Sequence, residues 1–324
     1  TLNAGEDANN TAVGYAAGNV MTTGTFNTLI GSLSGDALTT GITNVALGYA
    51  SLTTDVGGNR STAIGHSALQ NQNFSSSTDT YNTAVGYNTG LSITTGIYNT
   101  LIGGLVGDAL TDADKNVALG YAALTADTQG SRSTAVGYSA LATQNFTSAT
   151  DSHNTAVGNE AGTLLTTGIE NVLIGSLVGD AMTDADRNTA VGYAALTVNT
   201  KSDSNTAIGR SALENLNHTS VTSGLNTAIG YGAGSAITTG TKNTIIGSYG
   251  GNQSSLDLRT ASNRIIISDG DGNPRLYINA QGRQMFHNGT AYGHINAVGE
   301  VGITNVAIAF EHTTAGGVIG SITT

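Results

Sequence analysis

A five-residue motif recurs at regular intervals along most of the chain. Its positions hold Asn or Ser, then Thr or Val, then two apolar residues and finally Gly, as in Asn10-Thr11-Ala12-Val13-Gly14. Fourteen copies are present, and they end at Gly14, Gly31, Gly48, Gly65, Gly86, Gly103, Gly120, Gly137, Gly158, Gly175, Gly192, Gly209, Gly230 and Gly247. The numbers of successive glycines differ by 17, 17, 17 and then 21, so the pattern itself repeats in blocks of four units. A repeat this regular indicates a fold built from stacked copies of one small unit.

Each repeat has the length and the residue types of one coil of a β-solenoid. Such a unit is too short for a pair of helices, and its β-branched and aliphatic residues favour a strand. The Gly permits a positive φ at a corner, and Thr, Asp and Asn favour the turn that follows. We therefore predict an all-β fold, a parallel β-solenoid (β-roll) of about fourteen coils, about 67 Å long at the usual inter-strand spacing. We also predict that the Asn side chains stack into a ladder that satisfies turn amides.

Composition excludes several other classes of protein. Only 10% of the residues are charged, 45 are Gly, one is Pro and none is Cys. Disordered chains are normally rich in Pro and charge, and collagen needs Gly at every third position. The net charge of −11 argues against nucleic acid as a partner, since phosphate contacts require clustered Lys or Arg. Because no apolar run reaches the length of about 18 residues that spans a bilayer, we predict no membrane insertion.

The strand carries two adjacent apolar residues, which bears on assembly. Alternate residues of a strand face opposite sides, so Ala12 and Val13 point in opposite directions. A strand with one wet face normally alternates between apolar and polar residues. We therefore predict that the lone chain exposes an aliphatic stripe that another chain covers, and that Val85 and Val157 are buried on assembly. The alternative is a small apolar residue on a mildly exposed face.

The Asn-Thr-Ala-Val-Gly-Tyr units, as at residues 10–15 and 82–87, illustrate a resemblance that covers roughly residues 9–252. They are similar to the head repeats of YadA-like trimeric adhesins, and similar repeats occur in bacteriophage tail fibres and spikes. The resemblance implies a homotrimer of left-handed parallel β-rolls. The chain departs from the bacterial adhesins in its regular 17/21 spacing and in a C-terminal part that does not look like a coiled-coil stalk.

The last part of the chain has a different pattern. We predict a repetitive shaft or head over 1–252, a β-rich neck over 253–290 and a C-terminal β segment over 291–324. In the neck, the runs 264–267 and 275–278 flank the turn 269–273 and predict a hairpin-like pair. This run resembles the segment that precedes an intramolecular chaperone in phage fibres. The resemblance implies a precursor from which the chaperone cuts itself off.

Three stretches match the opening D-x-D-x-N of a calcium loop, at 112–116, 184–188 and 269–273. An EF-hand loop has Glu at its twelfth position, where this chain has Ala123, Ala195 and Ala280. We predict no cofactor, with calcium at Asp269, Asp271 and Asn273 kept as an alternative. Asp127, in a predicted turn, is expected to tolerate replacement by Asn.

The four-residue insertion in every fourth coil is the candidate recognition site. The inserted loops lie at 72–80, 144–152 and 216–224, and we call residues 55–81, 127–153 and 199–225, which contain and flank them, the insertion regions. Because solenoids often bind through insertions on one face, the predicted receptor contacts lie there. They are Asn73, Phe74, Tyr81, Asn145, Phe146, His153, Asn217 and His218. The alternative is structural, with Phe74 and Phe146 as an apolar plug under the loop.

These features predict a non-enzymatic, structural fibre protein. No nucleophile elbow, P-loop or His spacing for a metal is present, although an inter-chain carboxylate pair of a glycosidase remains open. We expect a phage tail fibre or similar appendage in the virion tail, extracellular, that contacts other tail proteins and attaches to a host surface glycan or other receptor. The alternatives are the head of a bacterial trimeric autotransporter adhesin and a β-helical polysaccharide depolymerase.

Overall fold

The structure is a computed structural model that describes residues 8–253 and 256–285, and the backbone of 286–287 and of three further strands within 292–322. Strands and turns make up the described residues, which include no helix. The chain divides into two compact units, Thr1–Arg187 and Asn188–Thr324.

Unit 1 is a stack of parallel coils. Its strands, over the described residues from 8 onward, are β1 (Thr11–Val13), β2 (Thr28–Ile30), β3 (Val45–Leu47), β4 (Gly58–Asn59), β5 (Thr62–Ile64), β6 (Thr78–Asp79), β7 (Thr83–Val85), β8 (Thr100–Ile102), β9 (Val117–Leu119), β10 (Gly130–Ser131), β11 (Thr134–Val136), β12 (Thr150–Asp151), β13 (Thr155–Val157) and β14 (Val172–Ile174). The three-residue strands pair in parallel with the motif in register, so that Ala12 lies beside Leu29 and Leu29 beside Ala46. The two-residue strands form separate parallel pairs, β4 with β6 and β10 with β12, within the insertion regions.

Unit 2 begins with the same architecture and ends in antiparallel strands. Its described strands are β15 (Thr189–Val191), β16 (Ser202–Asp203), β17 (Thr206–Ile208), β18 (Thr222–Ser223), β19 (Thr227–Ile229), β20 (Thr244–Ile246), β21 (Asn252–Gln253), β22 (Leu256–Asp257), β23 (Ile265–Ser268), β24 (Pro274–Ile278), β25 (Gln284–His287), β26 (Tyr292–Ile295), β27 (Ile308–His312) and β28 (Gly317–Ile322). Strands β15, β17, β19, β20 and β23 pair in parallel in that order. From β23 to β26 the pairing is antiparallel, as it is between β21 and β22 and between β27 and β28.

The predicted parallel β-solenoid is therefore confirmed, and it extends one strand further than the motif predicts. Strand β23 lies beside β20 as a further parallel strand, with Ile266 beside Ile245. The sequence motif misses this strand because Ser268 stands where the other coils have Gly. The same strand then pairs with β24 on its other side, so the segment predicted as half of a hairpin is also part of the solenoid.

The middle residue of each coil strand faces the interior and makes the core. Leu29, Ala46 and Leu101 are fully buried. Each strand then ends at a Gly that the corner requires. Gly14 has φ +139°, and a Cβ at this position would lie 2.4 Å from the carbonyl oxygen of Gly31 in the next coil. A side chain is thus excluded both by backbone conformation and by the close approach of neighbouring coils.

The predicted Asn ladder is confirmed, and it links successive coils inside the solenoid. The backbone N–H of Asn44 donates to Oδ1 of Asn27 at 2.9 Å, and Nδ2 of Asn27 donates to the carbonyl of Gly41 at 2.8 Å. Asn99 and Asn116 repeat both bonds. These side chains are fully buried, so the ladder pairs polar groups that would otherwise be costly to bury.

Candidate functional site

The outward-facing third residues of the coil strands form a continuous apolar surface in each unit, which we call the aliphatic stripe. In unit 1 it consists of Val13, Ile30, Leu47, Ile64, Val85, Ile102, Leu119, Val136, Val157 and Ile174. In unit 2 it consists of Val191, Ile208, Ile229, Ile246 and Ile267. Val13 is 58% exposed and Leu47 and Ile246 are 44% exposed. The prediction that the lone chain exposes an aliphatic stripe is confirmed.

A second row of exposed side chains follows the corner glycines and borders the stripe. The ring centroids of Tyr49 and His66 are 5.1 Å apart, and those of His66 and Tyr87 are 5.4 Å apart. In unit 2 the guanidinium of Arg210 lies 5.6 Å from the ring centroids of both Tyr193 and Tyr231. Stacked rings and cation–π pairs of this kind stabilise neighbouring coils against each other.

Several of the predicted receptor contacts point inward. Phe74, Phe146 and His218 are only 9%, 7% and 9% exposed. The backbone N–H of Phe74 also donates to Oδ1 of Asp55 at 3.0 Å. The two phenylalanines therefore occupy the place of the apolar plug, and these three side chains are not presented to a receptor.

The other predicted contacts lie at or near the surface. Asn73, Asn145, Tyr81 and His153 are exposed, whereas Asn217 is half-buried. Oδ1 of Asn217 accepts a hydrogen bond from the Thr200 hydroxyl at 2.8 Å. The described structure therefore does not gather the eight predicted residues into one surface patch.

Asp127 corrects the expectation that a turn carboxylate is dispensable. It is fully buried, its Oδ1 accepts from the backbone N–H of Gly130 and Phe146, and its Oδ2 accepts from Nε2 of Gln144 at 2.6 Å. Asp55 makes the same contacts with Gly58, Phe74 and Gln72. Burial raises the pKa of both carboxyls, and the hydrogen bonds from Gln and the backbone oppose that rise.

A cluster that was not predicted lies on the surface of the first insertion region. Arg60 forms an ion pair with Asp79, which the β4–β6 pairing brings to its side, and its guanidinium lies 5.4 Å from the ring centroid of Tyr81. Tyr81 in turn stacks on Tyr98, with centroids 5.7 Å apart. We call Arg60, Asp79, Tyr81 and Tyr98 the corner cluster. The sequence held one signal for it, since Arg132 and Asp151 stand at the same places in the second block as Arg60 and Asp79 in the first.

The backbone of the corner cluster is strained. Arg60, Tyr81 and Tyr98 have φ values of +60°, +50° and +62°. A left-handed conformation costs a residue other than Gly roughly 1–2 kcal/mol. Leu52 and Leu69 have similar φ values, but their side chains are fully buried, so burial offsets the strain. Tyr81 and Tyr98 are 48% and 46% exposed and gain far less from burial.

The equivalent positions in the other two insertion regions differ. In the second, Nε of Arg132 lies 2.8 Å from Oδ1 of Asp151, and His153 takes the place of Tyr81. In the third, the positions hold Ser204, Ser223 and Leu225. The corner cluster is therefore complete in the first insertion region, partial in the second and replaced in the third.

The candidate calcium loops use their carboxylates in hydrogen bonds. Oδ1 of Asp114 accepts from the backbone N–H of Ile97 at 2.8 Å, and Oδ1 of Asp269 accepts from those of Asp271 and Asn273. The backbone N–H of Asn273 and the nearby Arg275 lower the pKa of Asp269. Within the described residues no group of three or more His, Cys, Asp or Glu side chains is placed to hold a metal ion.

Comparison with known proteins adds no assignment to this surface. No protein family, curated protein or solved structure matches the chain. Among the described residues no helix has the length and apolarity needed to cross a membrane. The function therefore has to be argued from the surface itself.

Proposed function

We propose that the chain is a non-enzymatic structural fibre protein, a homotrimer of parallel β-solenoids that attaches to a host cell surface as a phage tail fibre or similar appendage. The observation that supports this proposal is the aliphatic stripe, which recurs on every coil of both units. Monomeric soluble proteins rarely expose a contiguous apolar surface of this extent. Such a surface on a regular repeat is typical of an interface.

A second copy of the same chain is the partner that fits the stripe best. Its side chains repeat at the strand spacing of roughly 4.8 Å, and an identical solenoid presents the same spacing. Cyclic symmetry then places equal coils of each chain at equal height. Threefold symmetry is what the resemblance to trimeric adhesin heads implies. Three chains would carry a net charge of −33, three times the −11 of one chain, which favours solubility.

The trimer is tested by replacing a stripe residue with a charge. Val85→Asp leaves the coil interior intact, because Val85 lies on the outer side of β7, but it places a carboxylate in the proposed interface. We expect light scattering to give three times 32.5 kDa for the wild-type protein and a smaller mass for the variant. Asn71→Asp, at an exposed position outside the stripe, is the matched control. A folded wild-type monomer would overturn the proposal.

The proposed location in the virion tail is tested on virions, and the proposed role in attachment is tested on host cells. Under the proposal, antibodies against the chain label the tails of virions beside the other tail proteins, and the purified trimer competes with virions for adsorption. A C-terminally extended precursor that is cut to release a chaperone domain is part of the same proposal. Labelling of a bacterial outer surface would favour the adhesin head instead, and release of sugars from a host polysaccharide would favour the depolymerase.

A further inference from the structure

We propose that the corner cluster, made of Arg60, Asp79, Tyr81 and Tyr98, is a binding site for an uncharged glycan. This inference rests on the proposed attachment function and specifies both its site and the chemical class of its ligand. The predicted loop residues Phe74, Phe146 and His218 are buried, so recognition at this insertion region has to use other side chains.

The identities of the exposed side chains are not explained by the backbone. The three corner positions at 60, 81 and 98 all have positive φ, where Gly or Asn would be the least strained choice. The chain has Arg and Tyr there, with their side chains largely in solvent. The same corner has a positive φ in other coils, for example at Thr43 and Lys115, so the conformation belongs to the coil and only the choice of Arg and Tyr is particular to this cluster.

The cluster combines an apolar surface with hydrogen-bonding groups of both kinds. Arg60, Tyr81 and Tyr98 form one stack, in which Tyr81 and Tyr98 are 48% and 46% exposed. Oδ1 of Asp79 contacts Arg60 and also accepts from Nδ2 of Asn59 at 3.2 Å. The Asp79 side chain is 46% exposed. A carboxylate accepts hydroxyl hydrogens, and a guanidinium donates.

These groups match a sugar without ionised substituents. A sugar ring presents apolar C–H groups, which suit aromatic surface, and hydroxyls, which suit a carboxylate and a guanidinium. The charge of Arg60 is already balanced by Asp79, so no net positive charge remains to hold an acidic group. The net charge of −11 per chain further disfavours a polyanion.

The position of the cluster is compatible with the trimer. Tyr81 precedes Val85 of the stripe by four residues, which corresponds to about 13 Å along an extended chain. The cluster therefore lies outside the aliphatic stripe and would occur once on each of three chains. Three weak sites on one particle would bind a repetitive glycan with increased avidity.

The third insertion region supplies the variants for a test. Ser204 and Leu225 have φ values of +60° and +51°, so the same corner accepts Ser and Leu in this very fold. The triple variant R60S/D79S/Y81L gives three of the four cluster positions the residues of the third region and leaves Tyr98, where the third region has Lys242. The reverse variant S204R/S223D/L225Y/K242Y builds the cluster in the third region.

The experiment measures binding of the purified protein to immobilised neutral glycans, such as mannans, glucans and galactans, and to acidic ones, such as polysialic acid and hyaluronan. We expect the wild type to bind at least one neutral glycan with little dependence on NaCl concentration. R60S/D79S/Y81L should weaken that binding at least tenfold with an unchanged melting temperature, and S204R/S223D/L225Y/K242Y should strengthen it.

Two results would overturn this inference. One is unchanged glycan binding by a folded R60S/D79S/Y81L protein, and the other is a wild type that binds only acidic glycans or none. The proposed function fails by different measurements, which are the mass of the assembly and the location on virions. A trimer that is found on virion tails but does not bind neutral glycans would therefore refute the glycan site without contradicting the proposed fibre function.

Discussion

In unit 1 each insertion region begins with a buried carboxylate, Asp55 or Asp127, whereas the insertion region of unit 2 begins with the buried amide Asn199. The surrounding residues differ as well. Residues Gly58, Ser61, Gln72, Phe74 and Thr80 of the first region correspond to Ser202, Asn205, Leu216, His218 and Gly224 of the third. Two sets of buried residues thus support the same type of backbone, with parallel strand pairs β4–β6 and β16–β18.

In unit 1 the buried glutamine bridges a gap in the Asn ladder. Ser61 stands where other coils have Asn, and its hydroxyl accepts from Nε2 of Gln72 at 2.8 Å. Oε1 of Gln72 accepts from Nδ2 of Asn82 at 2.9 Å, and Asp55 accepts from the same Nε2 at 2.6 Å. The carboxylate is therefore part of a polar network that replaces one Asn side chain.

In unit 2 the Asn ladder continues through the insertion region, and no glutamine is needed. Asn205 joins the ladder by donating its backbone N–H to Oδ1 of Asn188 at 3.0 Å, and Leu216 fills the space of the glutamine. Asn199 bonds to the backbone N–H and C=O of Ser202. A Cβ at Gly224 would lie 2.3 Å from Oδ1 of Asn205, so this Gly is needed once Asn is present. The difference teaches that these positions change as a group.

The largest expected effect comes from breaking the unit 1 network at its centre. Gln144→Leu removes the partner of Oδ2 of Asp127 and one partner each of Ser133 and Asn154. A hydrogen bond to a charged group contributes about 1.5–3 kcal/mol, and two further buried polar groups lose a bond, so we expect a loss of about 3 kcal/mol or more in denaturant unfolding at pH 7. The composite D127N/G130S/S133N/Q144L/F146H/S152G, which installs the side chains found at the equivalent positions of the third insertion region, should recover most of it. A composite no more stable than Q144L alone would show that the groups are not coupled.

A smaller loss is expected for Asp127→Asn by itself. The new amide would direct its N–H groups toward Nε2 of Gln144, which is also a donor, and a flip of Gln144 would produce the same conflict with Nδ2 of Asn154. Leaving a buried polar group unsatisfied costs about 1–3 kcal/mol. Asp112→Asn, at an exposed turn position, is the control. Equal thermal stability of the two variants would contradict the network.

A gain of about 1 kcal/mol is expected when His218 of unit 2 is replaced by the Phe of unit 1. Nδ1 of His218 is buried and has no hydrogen-bond partner among the described residues, while Nε2 lies 3.2 Å from the carbonyl of Thr239. Phe removes the unsatisfied nitrogen and keeps the apolar contact, at the loss of one hydrogen bond. The measurement is the urea midpoint at pH 8. A lower midpoint for H218F would mean that the Thr239 bond outweighs the buried nitrogen.

The pH dependence of stability should distinguish the Asp127 network of unit 1 from the Asn199 arrangement of unit 2, by a smaller amount. Burial raises the pKa of Asp127 in the folded state, so the folded state binds its proton more tightly than the unfolded state does. That contribution is fully present below the unfolded pKa of about 3.9 and is lost as the pH rises through the folded pKa. The composite without F146H, D127N/G130S/S133N/Q144L/S152G, adds no titratable group, and its stability relative to wild type should therefore increase between pH 3.5 and pH 7, as measured by chemical unfolding. A decrease in this relative stability would mean that folding lowers the pKa of Asp127 instead of raising it.

Much of the coil was determined by the sequence alone. The motif predicts which strand residues face inward and which face outward, as Leu29 and Ile30 illustrate, because side chains alternate along every strand. It also predicts the Asn ladder and the glycine corners, since both recur once per coil and repeat their environment. Features that depend only on a coil and on the equivalent residues of the next coil can be predicted from the repeat period.

Only the tertiary structure decided what happens where the coils differ. Asp127 and Phe74 are buried, although their residue types also fit a turn at the surface. Strand β23 pairs with β20, although Ser268 replaces the corner Gly. It also brought together Arg60, Asp79, Tyr81 and Tyr98, whose contacts cross three coils. The reason is physical, because the four-residue insertion changes which turn residues meet between coils. That register is set by packing across the stack and not by the local sequence.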